Sequence, residues 1–394
     1  MFSILLALLI GVCIGIVCGL IPGLHPNTTI PIILGLSFFF DAISASVILI
    51  SAGVINSFVN YIPSILLGAP ESENALSVLP GHRMFLQGRG YEAIKLTVIG
   101  GLMSVFFIIL SLPAFFFVIP KLYEITRPNI HYLLVFIASY MILTENKKGF
   151  ALFVFLISGV LGYVSLSYSD KMIFPLLSGL FGLPVLFMSF RKETKLPETF
   201  TFETERINRK DVLFSVTTGT FAGILAGMLP GLGSTQATVL SREMIRSDNR
   251  GFLISIGSIN TVDIIYSLFA LWLIGNPRSG IAVAVGNLVS MDFAILMLFI
   301  SVVVFSAGIG AILTLKISKR FIFFIRKIRY RSLSAVVFFS VLFLVAIFSG
   351  FAGLLVALTG LSIGMIPEMT GVKRTNNMGC LMLPTVLFFS ALSL

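Results

Sequence analysis

Charge is what this chain has least of. Only 11% of its 394 residues are Asp, Glu, Lys or Arg, against about a quarter in an ordinary soluble domain. The three cysteines, Cys13, Cys18 and Cys380, lie in apolar stretches without metal-ligand spacing, so neither a disulfide framework nor a zinc site is implied and they read as packing residues. Three histidines, His25, His82 and His131, are scattered. The sequence has no His-Glu-x-x-His metal motif, no Gly-x-Ser-x-Gly nucleophile elbow and no Walker-type phosphate loop. That leaves no constellation for catalysis, metal binding or ATP-driven pumping. The reading is a non-enzyme without a cofactor.

What the chain does have is apolar length. It is 57% hydrophobic with a mean hydropathy of +1.04, and apolar runs of about 20 residues, enough to cross a bilayer as a helix, recur from end to end. The runs are continuous rather than alternating, which argues against a β-barrel. The expected fold is all-α: a polytopic helical protein of a prokaryotic-type plasma membrane with about ten to twelve membrane segments. The net charge of +10 does not point to nucleic acid, because the basic residues sit in short connections, where positive-inside bias accounts for them.

Two stretches organise the rest. Gly11, Gly15, Gly19, Pro22 and Gly23 recur without a gap as Gly219, Gly223, Gly227, Pro230 and Gly231. Glycines four residues apart line one helix face and let a neighbouring backbone approach closely, and Pro-Gly then breaks the helix. Because the motif recurs inside the chain, Met1 to Leu20 reads as a retained helix rather than a cleaved signal peptide. Further echoes follow: Gly68-Ala-Pro70 with Gly275-Asn-Pro277, and Val-Ile-Asn56 with Ser-Ile-Asn260. The expectation is two repeated halves with broken or re-entrant helices, inverted if Ile30 to Phe40 crosses the membrane and parallel if it only dips in; inversion is the commoner transporter plan.

Residues 1–190 form the first repeat plus additional helices, 191–211 a cytoplasmic linker, 212–315 the second repeat, 316–332 a basic cytoplasmic loop and 333–394 C-terminal helices. Lys316 to Arg331 carries seven Lys or Arg and no acid, the strongest orientation signal in the chain. Spans are also expected at Leu333–Ser349 and Phe351–Ile366.

Unwound backbone at membrane depth is tolerated where it lines a wet cavity, so the two Pro-Gly breaks point to one central site. The candidate substrate-binding residues are Pro22, Gly23, Asn27, Thr28, Thr29 and Asn56 in the first half, and Pro230, Gly231, Ser234, Thr235 and Gln236 in the second. A half-helix starting after each break would aim free N–H groups at an anion such as a carboxylate; ordinary helix caps are the bland alternative. Asp263, in the middle of an apolar span with Asn260 one turn earlier, is the candidate for coupling to Na⁺ or H⁺, since an intramembrane carboxylate is costly. Its bland alternative is pairing with another helix. Asp41 and Asp292 read as turns, Glu71 and Glu73 as a solvated turn, and Lys373 with Arg374 as a headgroup anchor.

Several motifs carry a resemblance. Gly-Leu-Ile-Pro22-Gly23-Leu24-His-Pro and Gly-Met-Leu-Pro230-Gly231-Leu232-Gly233, with Leu67 to Ser72, Leu79 to Arg89 and Gly371 to Pro384, resemble the large membrane subunit of tripartite tricarboxylate transporters. The resemblance implies cation-driven uptake of carboxylates, with an extracytoplasmic binding protein and a small membrane subunit as partners; a homodimer is a further possibility. This chain is shorter than typical members, has His25 in place of a glycine, and carries Glu71 and Glu73 where small residues are usual. An uncoupled channel or lipid-intermediate flippase is the rival reading.

Overall fold

The computed structural model describes residues 2–21, 40–68, 78–126, 129–191, 200–202, 207–228, 234–245, 249–275, 279–325 and 330–392. The helices are α1 (Phe2–Leu20), α2 (Ala42–Val59), α3 (Tyr61–Leu66), α4 (Val78–Leu86), α5 (Gly90–Thr126), α6 (Ile130–Leu143), α7 (Lys148–Tyr168), α8 (Ile173–Leu177), α9 (Leu183–Arg191), α10 (Arg209–Met228), α11 (Ser234–Met244), α12 (Asn249–Ile274), α13 (Gly280–Leu288), α14 (Phe293–Ile325), α15 (Tyr330–Thr370) and α16 (Gly379–Leu392). A π-helical stretch, Ser178–Gly182, joins α8 to α9, and a 3₁₀ turn, Arg374–Met378, precedes α16. Among the described residues there is no strand, and seven helical stretches are long and apolar enough to cross a membrane. The chain is a multi-pass helical membrane protein.

Local chemistry sets the boundaries. Asp41 opens α2 by accepting from the Ser44 amide at 3.1 Å and the Ser44 hydroxyl at 2.7 Å; Asp292 opens α14 by accepting from the Ile295 amide at 2.7 Å. Both are N-caps. Pro63 has no N–H for the Val59 carbonyl, and α2 yields to α3 there at Asn60. α15 is broken at Gly350, whose φ of 63° only glycine adopts readily. The Ser349 hydroxyl donates to the Lys171 carbonyl beyond one end of α7, and the Thr370 carbonyl accepts from Lys147 Nζ at the other. The segment after Gly350 therefore runs antiparallel to α7. The segment before it, whose Phe338 meets Phe187 of α9, runs the opposite way, so the two spans expected on either side of Gly350 form a hairpin.

The main helix contacts divide into two sets. One set holds α1 to α5 and α10 to α14; the other holds α6 to α9, α15, the 3₁₀ turn and α16. Glycine makes the close crossings in both. A Cβ at Gly100 of α5 would overlap the Ile254 carbonyl of α12, and one at Gly257 would overlap the Thr97 carbonyl of α5. In the second set Gly162 meets the Cys380 carbonyl and Gly379 the Phe155 carbonyl in the same way.

The paired glycine motifs sit on their neighbours in one register. Cβ atoms at Gly15 and Gly223 would stand 2.6 and 2.9 Å from the Ala52 and Ile259 carbonyl oxygens, and those at Gly19 and Gly227 would stand 2.8 Å from the Cβ atoms of Val59 and Tyr266. Along both pairs the contacts climb together, from Ile48 to Val59 for α1 on α2 and from Ser255 to Tyr266 for α10 on α12. Each pair is parallel. The pairs point in opposite directions: α2 runs into α3, whose Ile65 carbonyl bonds His82 of α4, whereas α12 starts at that same end, where Arg250 pairs with Glu92 of α5. Residues 30–39 of the segment Ile30 to Phe40 lie outside the described residues. Two expectations are corrected. Cys13 is exposed, on the side of α1 turned away from the glycine face, and Arg374 is no headgroup anchor, being only 7% exposed.

Candidate functional site

Asp263 stands on α12 where the α10 glycine face ends. A Cβ at Gly227 would lie 2.8 Å from the Tyr266 Cβ, 3.1 Å from the Asp263 backbone oxygen and 3.4 Å from its Oδ1, so the glycine lets α10 seat closely beside the carboxylate. Its Oδ2 accepts from the hydroxyl of Ser234, the first residue of α11, at 3.0 Å. Ser234 is buried and Asp263 partly so. The geometry thus joins one residue proposed for substrate with the residue proposed for coupling. Pro22, Gly23, Asn27, Thr28, Thr29, Glu71, Glu73, Pro230 and Gly231 lie outside the described residues; Thr235 and Gln236 follow Ser234 in the first turn of α11.

Asn260 turns elsewhere. Its Nδ2 donates at 2.8 Å to the hydroxyl of Tyr61, which donates at 3.2 Å to the Ile256 carbonyl. Tyr61 begins α3, so these bonds tie the first glycine-seated pair to the second through a tyrosine that sequence reasoning passed over. The only signal was a phenol beside Asn60 in an apolar run, and a buried phenol needs a polar partner.

The register also corrects the echo of Asn56 with Asn260. Asn56 precedes Val59 by three residues, as Asp263 precedes Tyr266, so Asn56 occupies the place of Asp263. The extra length between the anchors misled the sequence comparison. Asn56 is 1% exposed and its Oδ1 has no hydrogen-bond partner, a deficit that costs roughly 1–3 kcal/mol.

One end of the molecule gathers ionic groups. Glu92, also overlooked, is 1% exposed and takes Arg89 at 2.7 Å and Arg250 at 2.6 Å, linking the starts of α5 and α12. Its i,i+3 spacing from Arg89 was the available clue. Lys319 lies 5.1 Å over the Tyr91 ring and Phe202 stacks on Phe323, so the basic end of α14 is here too. His82 Nδ1 contacts the Ile65 carbonyl at 2.9 Å; a carbonyl can only accept, so Nδ1 carries the proton. Burial, with Arg374 adding to it against the Ile65 bond, holds His82 down to about 4. Among the described residues no group of His, Cys, Asp or Glu has the arrangement of a metal site.

A polytopic helical bundle with glycine-seated, oppositely directed helix pairs and a carboxylate inside a span has the form of a membrane transport protein. The comparisons with known proteins agree. The profile of the Tripartite tricarboxylate transporter TctA family matches residues 5–379, and the chain belongs to that family. It is a transporter component of the plasma membrane, in a family of three-part systems whose other parts are an extracytoplasmic binding protein and a small membrane subunit. The chain is also 29% identical over 381 residues to the uncharacterized protein MJ1079 of Methanocaldococcus jannaschii, covering 93% of this chain and 94% of that one. No solved structure matches it.

Proposed function

We propose that this chain is the translocating subunit for cation-coupled uptake of small organic anions, carboxylates above all. The Ser234–Asp263 hydrogen bond carries the reading. It sets a carboxylate in an apolar span against the first residue of the helix that follows the second Pro-Gly, where free N–H groups and the positive helix end suit an anion. Substrate would lie at the two Pro-Gly breaks, with Na⁺ or H⁺ at Asp263 beside it. Asn260, held by Tyr61, would relay occupancy of this region to the first pair. The opposed pairs would be the inverted units of an alternating-access transporter.

Purified protein in liposomes with imposed Na⁺ or proton gradients is the test, with radiolabelled di- and tricarboxylates and the partner subunits supplied. Accumulation above equilibrium that Asp263→Asn removes, with normal folding, is the expected result. Passive equilibration or lipid translocation would turn the reading to a channel or flippase.

A further inference from the structure

A cavity of about 240 Å³ lies where the two helix sets meet, at the end that holds Glu92 and the basic end of α14. At about 30 Å³ per water it has room for roughly eight waters. Pro80 and Arg83 of α4, Arg242 of α11, Asn249 and Phe252 of α12, Glu368 of α15 and the turn from Val372 to Thr375 line it. Among the described lining residues, Arg83, Arg242, Lys373 and Arg374 face a single carboxylate, Glu368.

Two of these cations, Arg374 and Arg242, are held in place before any ligand arrives. Arg374 is 7% exposed, with Nε and Nη2 each 2.7 Å from Glu368 Oε1, while its buried Nη1 has no hydrogen-bond partner. Arg242 lies 4.6 Å over the Phe252 ring and donates from Nη2 to Asn249 Oδ1 at 3.2 Å. The turn is fixed from behind: Glu145 accepts from the Lys373 amide at 3.2 Å, and Asn377 donates to the Leu180 carbonyl of the π-helical stretch at 3.2 Å. Arg83 stands exposed at the rim, and its charge, added to burial, works against the charge on Arg374. A guanidinium taken out of water with an unused donor is costly, and two fixed guanidinium groups with further cations around a polar space suit a multivalent oxyanion held through forked hydrogen bonds.

We infer that this junction cavity binds a small multivalent oxyanion, carboxylate or phosphate, at the cytoplasmic end of the protein and apart from the Asp263 region. The cytoplasmic placement follows from the Lys/Arg-rich end of α14. The site bridges both helix sets, so its occupant would hold them together at that end.

The test is calorimetric titration of the intact detergent-solubilised protein with citrate, with inorganic phosphate and with a short-chain phosphatidic acid as separate arms. Saturable, salt-sensitive binding in the citrate or phosphate arm, weakened about tenfold by Arg83→Gln and by Arg242→Gln at unchanged melting temperature, is expected. Binding of phosphatidic acid alone would assign the same oxyanion site to a lipid headgroup. Absence of binding in all arms, or binding indifferent to both substitutions, would overturn the inference. Asp263→Asn separates this site from the proposed coupling reading: it should abolish accumulation and leave the titration intact.

Discussion

The two glycine-seated helix pairs share a contact register and differ in the polar residue that stands three places before its last contact. In α1 on α2 that position is Asn56, sealed at 1% exposure, and every residue of α2 from Ser44 to Val59 is buried. In α10 on α12 it is Asp263, partly open and bonded to the start of α11. A neutral amide with one unmet acceptor is affordable in a closed place at roughly 1–3 kcal/mol, whereas an ionised carboxylate requires access or partners. The difference teaches that one glycine seat is compatible with two environments: the first pair closes its polar position, and the second leaves it open beside α11.

The most severe way to break the comparison is to force open the close crossing of α5 with α12, on which the second pair rests. Gly100→Val or Gly257→Val drives a side chain into a backbone carbonyl that cannot swing aside. The expected cost exceeds about 3 kcal/mol, the upper range for overpacking, read as loss of the monodisperse peak in size-exclusion chromatography. Gly223→Leu should behave alike, and its intact assembly would mean that the α10 face tolerates separation.

Exchange of the differing residues comes next. Asp263→Asn should lower accumulation at least about tenfold with little change in folding. Asn56→Asp should leave a carboxylate in the sealed place and lower stability by several kcal/mol unless it stays protonated. Equal transport and stability in both variants would show the two places to be equivalent.

Acid should loosen the end at which the first pair finishes. His82 is neutral when folded and titrates at about 4, against about 6.5 in an unfolded chain. The unfolded state therefore binds more protons between these values, and stability falls as pH drops through this window. From pH 7.5 to 5 the loss is about 2 kcal/mol, measured as a fall in melting temperature. His82→Gln should flatten that slope.

The smallest effect tunes the second pair. Ser234→Ala removes one donor from Asp263 and should weaken coupling-ion affinity about fivefold, the equivalent of about 1 kcal/mol. An unchanged ion dependence of uptake would limit Ser234 to capping α11.

Much of the fold was legible because its causes are local. The bilayer sets helix length, so apolar runs announced the spans, and the two expected at Leu333–Ser349 and Phe351–Ile366 meet at the break the structure shows at Gly350. Asp263 was legible as a costly charge, and Ser234 as the first polar residue after the second break. Tyr61, Glu92 and Arg374 were not, since their roles depend on partners brought in from elsewhere: Tyr61 meets Asn260 of the other pair, and Glu92 meets Arg250. The Asn56 register was misread for a related reason. Matching letters in two segments of unequal spacing competed with a glycine contact that only packing reveals.

By itself the sequence determined the membrane class and the glycine faces, because hydropathy and small-residue period act over a few residues. Tertiary structure decided the opposed directions of the two pairs, the equivalence of Asn56 with Asp263, and the burial of Arg374. Those depend on which distant surfaces meet, and a backbone carbonyl across a glycine crossing leaves no trace in the letters of the helix it touches.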